Sequence, residues 1–170
     1  MSTEQQPAPA DESYSDDFIR EVLRDGRTIA MVGASANWNR PSFFAMKYLQ
    51  QKGFRVIPVN PKEAAAGTEI LGEKCYAALA EIPEQVDMVD CFRNAEAVPA
   101  IADEAIAIGA KILWMQLGVR HDEAAAKARA AGLRVVMNRC PKIEYGRLSG
   151  EIGWMGRNTG VISSKRKRKV

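Results

Sequence analysis

Hydrophobic and polar positions along the chain alternate between two kinds of segment. Short apolar runs rich in β-branched and large aliphatic residues lie at 28–32, 54–59, 86–92, 111–117 and 133–137. They lack the strict in–out alternation of a sheet with one wet face, and predict strands covered on both sides. Helical periodicity fills the intervals. Ser15 caps a helix whose first turn holds Asp16 and Asp17, whose apolar face is Phe18, Ile19, Val22 and Leu23, and whose stop is Gly26. Residues 42–51 predict a second helix, with Phe43, Phe44, Met46, Tyr48 and Leu49 available to bury and Gly53 as its end. Further helices are expected over 94–108, with Pro99 confined to the first turn, over 121–131 with Gly132 as stop, and over 142–148. The stretch 64–79 reads as a connection turning at Gly67 and Gly72, with a helical turn near 76–81.

Five strands alternating with helices predict an α/β fold: a Rossmann-like, doubly wound, five-stranded parallel sheet with helices on both faces, in the expected strand order 3-2-1-4-5. Pro58 lacks a ladder donor and is expected at the end of the second strand. Ligands of such sheets bind at the carboxyl ends of the strands. Here those ends are residues 33–38, 60–62, 92–94, 116–119 and 138–140.

A chain of 170 residues accommodates one domain with a substantial core. The expected division is a disordered polar tail at 1–13, the folded unit at 14–149, and a Gly-interrupted, basic segment at 150–170. No apolar run approaches the ~18 residues of a membrane span, and the polar N-terminus has no signal-like apolar core. Three cysteines without paired spacing, Cys75, Cys91 and Cys140, point to a reducing, cytoplasmic setting. The net charge of +3 owes its sign to the run from Lys165 to Lys169: those five charges removed from 24 leave 19 against 21 acidic residues. A basic surface for nucleic acid is therefore a property of the tail and not of the folded unit. The tail itself reads first as a solvated segment, with loose attachment to nucleic acid or anionic membrane as the alternative.

The segment from Thr28 to Ser42 carries the chemistry. A buried strand runs into Gly33, Ala34, Ser35 and Ala36, then Asn37 and Asn39, and a helix opens at Pro41-Ser42. A strand, a small-residue turn and a helix N-terminus present backbone N–H groups to a phosphate. A dinucleotide fingerprint is not complete, because its three glycine positions hold Gly33, Ser35 and Trp38. The acid expected at the end of the second strand, for the ribose hydroxyls, is replaced by Asn60-Pro61-Lys62. Arg40, Lys62 and Arg93 gather at the same edge with no carboxylate expected in the immediate turns, so the ligand should be anionic and richer in phosphate than NAD.

Six ordered blocks carry a family resemblance. They are Ile29-Ala30-Met31-Val32-Gly33-Ala34-Ser35, Arg55-Val56-Ile57-Pro58-Val59-Asn60-Pro61, Ile70-Leu71-Gly72-Glu73-Lys74-Cys75-Tyr76, Val86-Asp87-Met88-Val89-Asp90-Cys91-Phe92-Arg93, the run from Gly109 to Gly118, and Val136-Met137-Asn138-Arg139-Cys140. Through them the chain resembles, over about residues 18–148, the small stand-alone CoA-binding proteins, similar to the N-terminal CoA-binding domain of the succinyl-CoA synthetase α subunit. The resemblance implies CoA or acyl-CoA as bound ligand, with Gly33, Ala34, Ser35 and Asn37 at its phosphates and Arg40 beside them where many relatives have lysine. It implies Asn60, Pro61 and Lys62 on the adenosine side, and Phe92, Arg93, Gln116, Leu117 and Gly118 along the pantetheine path. Asn138 stands where many relatives have Asp, which removes a negative charge near that edge.

Other conspicuous residues have plainer readings. Trp114 lies mid-strand and reads as core, while Trp38 lies in the turn and is open to either a ligand or a surface role. Cys140 reads as a buried thiol, the alternative being an activated one beside Arg139. His121 reads as a helix cap. No Ser/His/Asp order, paired acids or metal-ligand cluster stands out, so the expectation is a non-catalytic carrier, sensor or regulatory module for CoA or acyl-CoA, with an unknown protein partner. The alternatives are an NAD(P)-binding or redox-sensing protein of the same fold and, third, an enzyme acting on acyl-CoA.

Overall fold

A computed structural model describes residues 13–150. The basic run from Lys165 to Lys169 lies outside these residues. The elements follow in the order α1 (Asp16–Asp25), β1 (Thr28–Val32), α2 (Pro41–Gln51), β2 (Arg55–Val59), α3 (Pro61–Ala65), β3 (Glu69–Ile70), β4 (Glu73–Lys74), β5 (Met88–Cys91), α4 (Val98–Ala107), β6 (Ile112–Met115), α5 (Asp122–Ala130), β7 (Arg134–Val136) and α6 (Pro141–Leu148). Single 3₁₀ turns sit at Leu79–Glu81 and Ala95–Ala97.

The local signals act as expected at several ends. The Ser15 hydroxyl accepts the Phe18 amide at the start of α1, and Gly26 closes that helix. Pro99 falls in the first turn of α4. His121 caps α5, its Nδ1 accepting the Ala124 amide at 3.0 Å. In α2 the buried face is Ser42, Ala45, Met46 and Leu49, and Phe44, expected inside, is 48% exposed. The connection after β2 is more structured than its glycines suggest: it holds α3 and the β3–β4 hairpin, with Gly72 at positive φ in the turn.

Five strands form one all-parallel sheet in the order β2-β1-β5-β6-β7. Counted among the five, that is 2-1-3-4-5, and the expected 3-2-1-4-5 is corrected. The third sheet strand pairs with β1, Met31 facing Asp90, instead of with β2. Pro58 supplies the reason. The expected order makes β2 an interior strand paired on both sides, and a residue without an N–H leaves a hole in one ladder. At the edge, β2 pairs fully only with β1, and its outer side meets a single parallel bridge from Val59 to Tyr76. There Tyr76 donates to the Pro58 carbonyl at 3.0 Å and accepts from the Asn60 amide at 2.9 Å, so the bridge asks Pro58 only for its carbonyl.

Apolar layers cover both faces. On one, Ala30, Val89, Leu113, Met115 and Val135 pack with residues of α4 and α5; on the other, Ile29, Met31, Met88, Trp114 and Val136 pack with α1 and α2. Both faces are dry, which is why the strands read as continuous apolar runs. The corrected order also moves the topological switch point. Strand order now reverses between β1 and β5, so the crevice opens between the loops that follow Val32 and Cys91.

Candidate functional site

Gly33 begins the site. It has φ +87°, and its amide donates to the Val59 carbonyl at 2.9 Å, turning the chain sharply at the end of β1. A Cβ built there would lie 2.5 Å from the Phe92 carbonyl oxygen and 3.0 Å from Cδ of Arg93. The loops after β1 and β5 are thus in backbone contact at the switch point, with the stem of Arg93 beside them.

Above this contact, Gly33, Ser35, Arg40, Asn60, Lys62 and Phe92 line one cleft of about 390 Å³, together with Pro41, Ser42 and Glu63. Six of the predicted site residues are therefore brought together. α2 starts at the cleft with no acidic residue in its first turn, so the positive end of its dipole is not neutralised locally. Arg40, Lys62 and Arg93 are exposed and make no ion pair among the described residues. Unpaired cations and a helix N-terminus around one cleft favour an anion.

The turn is more self-satisfied than expected. The Ser35 amide donates to the Ser42 hydroxyl at 3.2 Å, the Asn37 amide to the Ser35 hydroxyl at 3.1 Å, and the Asn39 amide to Asn37 Oδ1 at 3.0 Å. The Ala36 amide donates to Glu63 Oε1 at 3.4 Å. Asn60 works as a hub: its Nδ2 donates to the Ala34 carbonyl at 2.9 Å, and its Oδ1 accepts the Lys62 and Glu63 amides at 2.9 and 3.4 Å. The side chain caps α3 and anchors the β1 turn, and so fixes the cleft wall.

The remaining predicted residues lie elsewhere. Ala34 is buried under the turn, and Asn37 is exposed with its side chain spent on the local turn. Pro61 faces a neighbouring cavity of about 460 Å³ lined also by Ala64, Cys75 and Tyr76. Gln116, Leu117 and Gly118 do not line the cleft; Gln116 is buried with Oε1 unpartnered, Leu117 is 61% exposed, and the Gly118 amide donates to Asn138 Oδ1 at 2.7 Å. Asn138, at φ +57°, holds a left-handed conformation that asparagine tolerates well. The change of strand order accounts for this group, since it exchanges β6 for β5 as the neighbour of β1.

Sequence reasoning missed Pro41, Ser42 and Glu63. Glu63 also corrects the expectation of an edge without a carboxylate. A signal for it exists: Asn60-Pro61 is a cap followed by proline at the first helical position, which starts a helix with Glu63 in its first turn. Among the other conspicuous residues, Trp114 is fully buried, and its indole N–H donates to the Arg139 carbonyl at 2.8 Å. Trp38 is 67% exposed. Cys140 is half-buried at the N-cap of α6 instead of buried. Burial, with Asp90 adding to it, pushes the Cys91 thiol up to about 12, so it stays protonated. Asp90 itself is fully buried in β5 with neither oxygen hydrogen-bonded, and desolvation holds its carboxyl well above the usual carboxylate range. No group of three or more His, Cys, Asp or Glu side chains placed to hold a metal ion occurs among the described residues.

Fold and cleft together define a doubly wound α/β domain with a crevice lined by Arg40 and Lys62 at its switch point. Residues 27–146 match the CoA binding domain family, and the chain belongs to it. It is 35% identical over 127 residues to the uncharacterized protein YneT of Bacillus subtilis (strain 168), covering 75% of this chain and 91% of that one. It is 34% identical over 100 residues to acetate–CoA ligase [ADP-forming] II of Archaeoglobus fulgidus, but this match spans only 14% of the ligase and 56% of the present chain. Among solved structures, a hypothetical protein from Pyrococcus horikoshii OT3 superposes with a TM-score of 0.77 at 39% identity, covering 88% of this chain and all of that one.

Proposed function

We propose that this protein binds CoA or an acyl-CoA without chemically altering it, as a carrier, sensor or regulatory module. The observation that carries the reading is a cleft at the β1 turn lined by two exposed cations, Arg40 and Lys62, with the exposed Arg93 beside Gly33 at its edge, none of the three ion-paired among the described residues. CoA offers a pyrophosphate and a ribose 3′-phosphate to such a set. In this reading Gly33, Ser35, Ser42 and Arg40 face the pyrophosphate, Lys62 the 3′-phosphate, and Phe92 with Arg93 the start of the pantetheine arm. Ala34, Asn37, Asn60 and Pro61 shape the wall. The family assignment supports CoA over NAD, as does the single glycine at the fingerprint positions.

The functional unit is taken as residues 14–149, working in a reducing, cytoplasmic compartment. Three free cysteines fit such a compartment, and no helix among the described residues is long and apolar enough to cross a membrane.

Calorimetric titration of the purified chain with CoA, dephospho-CoA and NAD tests the proposal. CoA should bind tightest, and dephospho-CoA weaker by the loss of Lys62's partner. Binding of NAD as tight as CoA overturns it.

A further inference from the structure

The acid in the cleft has no place in a site built for phosphate, and its bonding shows what it does there. Glu63 sits in α3, and its backbone is pinned at both ends, the amide on Asn60 Oδ1 at 3.4 Å and the carbonyl on the Thr68 amide at 3.0 Å. The side chain is not tied to the nearby cations: Glu63 forms no ion pair with Lys62 or Arg40. Its carboxylate reaches across to the β1 turn instead and accepts the Ala36 amide. The neighbouring amides of Ser35, Asn37 and Asn39 bond to side chains of the turn or of α2 and hold the turn's own shape. The Ala36 amide alone among these four is held by a group from across the cleft, and that group is an anion.

We propose that Glu63 is an internal stand-in for a ligand phosphate: it holds the Ala36 amide until a phosphate takes it, and the cost of expelling a carboxylate sets how much negative charge the site accepts. Because the backbone of Glu63 is fixed, the exchange requires only rotation of its side chain. A phosphate at the Ala36 amide would otherwise face a like charge a few ångströms away, and that repulsion opposes its binding. Glu63 is thereby a specificity residue. It imposes the same displacement cost on every anion that takes the Ala36 amide, so that only one held also by Arg40 and Lys62 binds tightly, and it imposes none on a ligand without phosphate. The inference rests on the reading of the cleft as a CoA site.

Titration of wild type, Glu63→Ala and Glu63→Gln with CoA and with adenosine is the test. Glu63→Gln keeps an acceptor for the Ala36 amide and removes only the charge, so it guards against a loss of local structure. Both variants should bind CoA about tenfold more tightly than wild type, equivalent to ~1.4 kcal/mol, with adenosine affinity unchanged. Wild-type affinity for CoA in both variants overturns the inference, and so does a gain shared equally by adenosine. Weaker CoA binding also overturns it, and would assign Glu63 to a ligand hydroxyl. If the wild type itself fails to bind CoA, the functional reading falls and takes this inference with it.

Discussion

The Phe92 carbonyl oxygen fills the place where Gly33 would carry a side chain: a Cβ there would be 2.5 Å away. This contact joins the loops after β1 and β5 and forms the floor of the cleft. It exists only because β5, and not β6, is the neighbour of β1.

Gly33→Ala should therefore damage the fold and the site together. The substitution adds both an unfavourable φ and a backbone clash, and about 2–4 kcal/mol of stability should be lost. Urea denaturation monitored by circular dichroism measures it. A variant as stable as the wild type would show that the two loops are not locked.

Asn60→Ala removes the bonds to the Ala34 carbonyl and to the Lys62 and Glu63 amides. A loss of about 1–3 kcal/mol is expected from the cap and the uncompensated groups. CoA binding should weaken as well, because Lys62 and the β1 turn lose their common anchor. Thermal melting and calorimetry on one sample separate the two effects.

Asp90 should make stability fall as pH rises. Its folded-state carboxyl titrates well above the usual range because it is desolvated. The unfolded chain ionises near pH 4, so from there upward the unfolded state gains from ionisation while the folded state does not, until the folded group titrates in turn. Asp90→Asn removes this term and should be more stable than wild type at pH 7, with the two converging near pH 3. Equal pH dependence of the two proteins would refute the assignment.

His121→Ala should cost about 1 kcal/mol through the lost cap on α5 and leave CoA affinity unchanged. If the purified chain hydrolyses acetyl-CoA and this substitution abolishes the turnover, the histidine is not merely a cap.

Arg40→Ala and Arg93→Ala should each weaken CoA binding by about three- to tenfold, and the wild-type affinity should fall with added salt. Affinity insensitive to salt would argue against phosphate as the recognised group.

The chain's periodicity determined the five sheet strands, the helices other than α3 and the capping at Ser15 and His121, because those are local preferences of backbone and side chain acting over a turn or two. That Gly33, Arg40 and Lys62 follow strand ends was legible for the same reason: position at a strand end is a one-dimensional fact. Strand order was not, since pairing is decided by which edge of β1 the chain reaches after crossing the sheet. Pro58 held the clue that β2 is an edge. The family resemblance implies Gln116, Leu117 and Gly118 along the ligand's path; they do not line the cleft at the β1 turn, because β5 and not their strand lies beside β1. Glu63 entered the cleft through a side chain reaching across from α3, a contact over 27 residues that no local pattern encodes. Sequence by itself thus determined which strand ends carry charge and small turns; only the packing of the sheet decided which of those ends meet, because a cleft is made by neighbours in space.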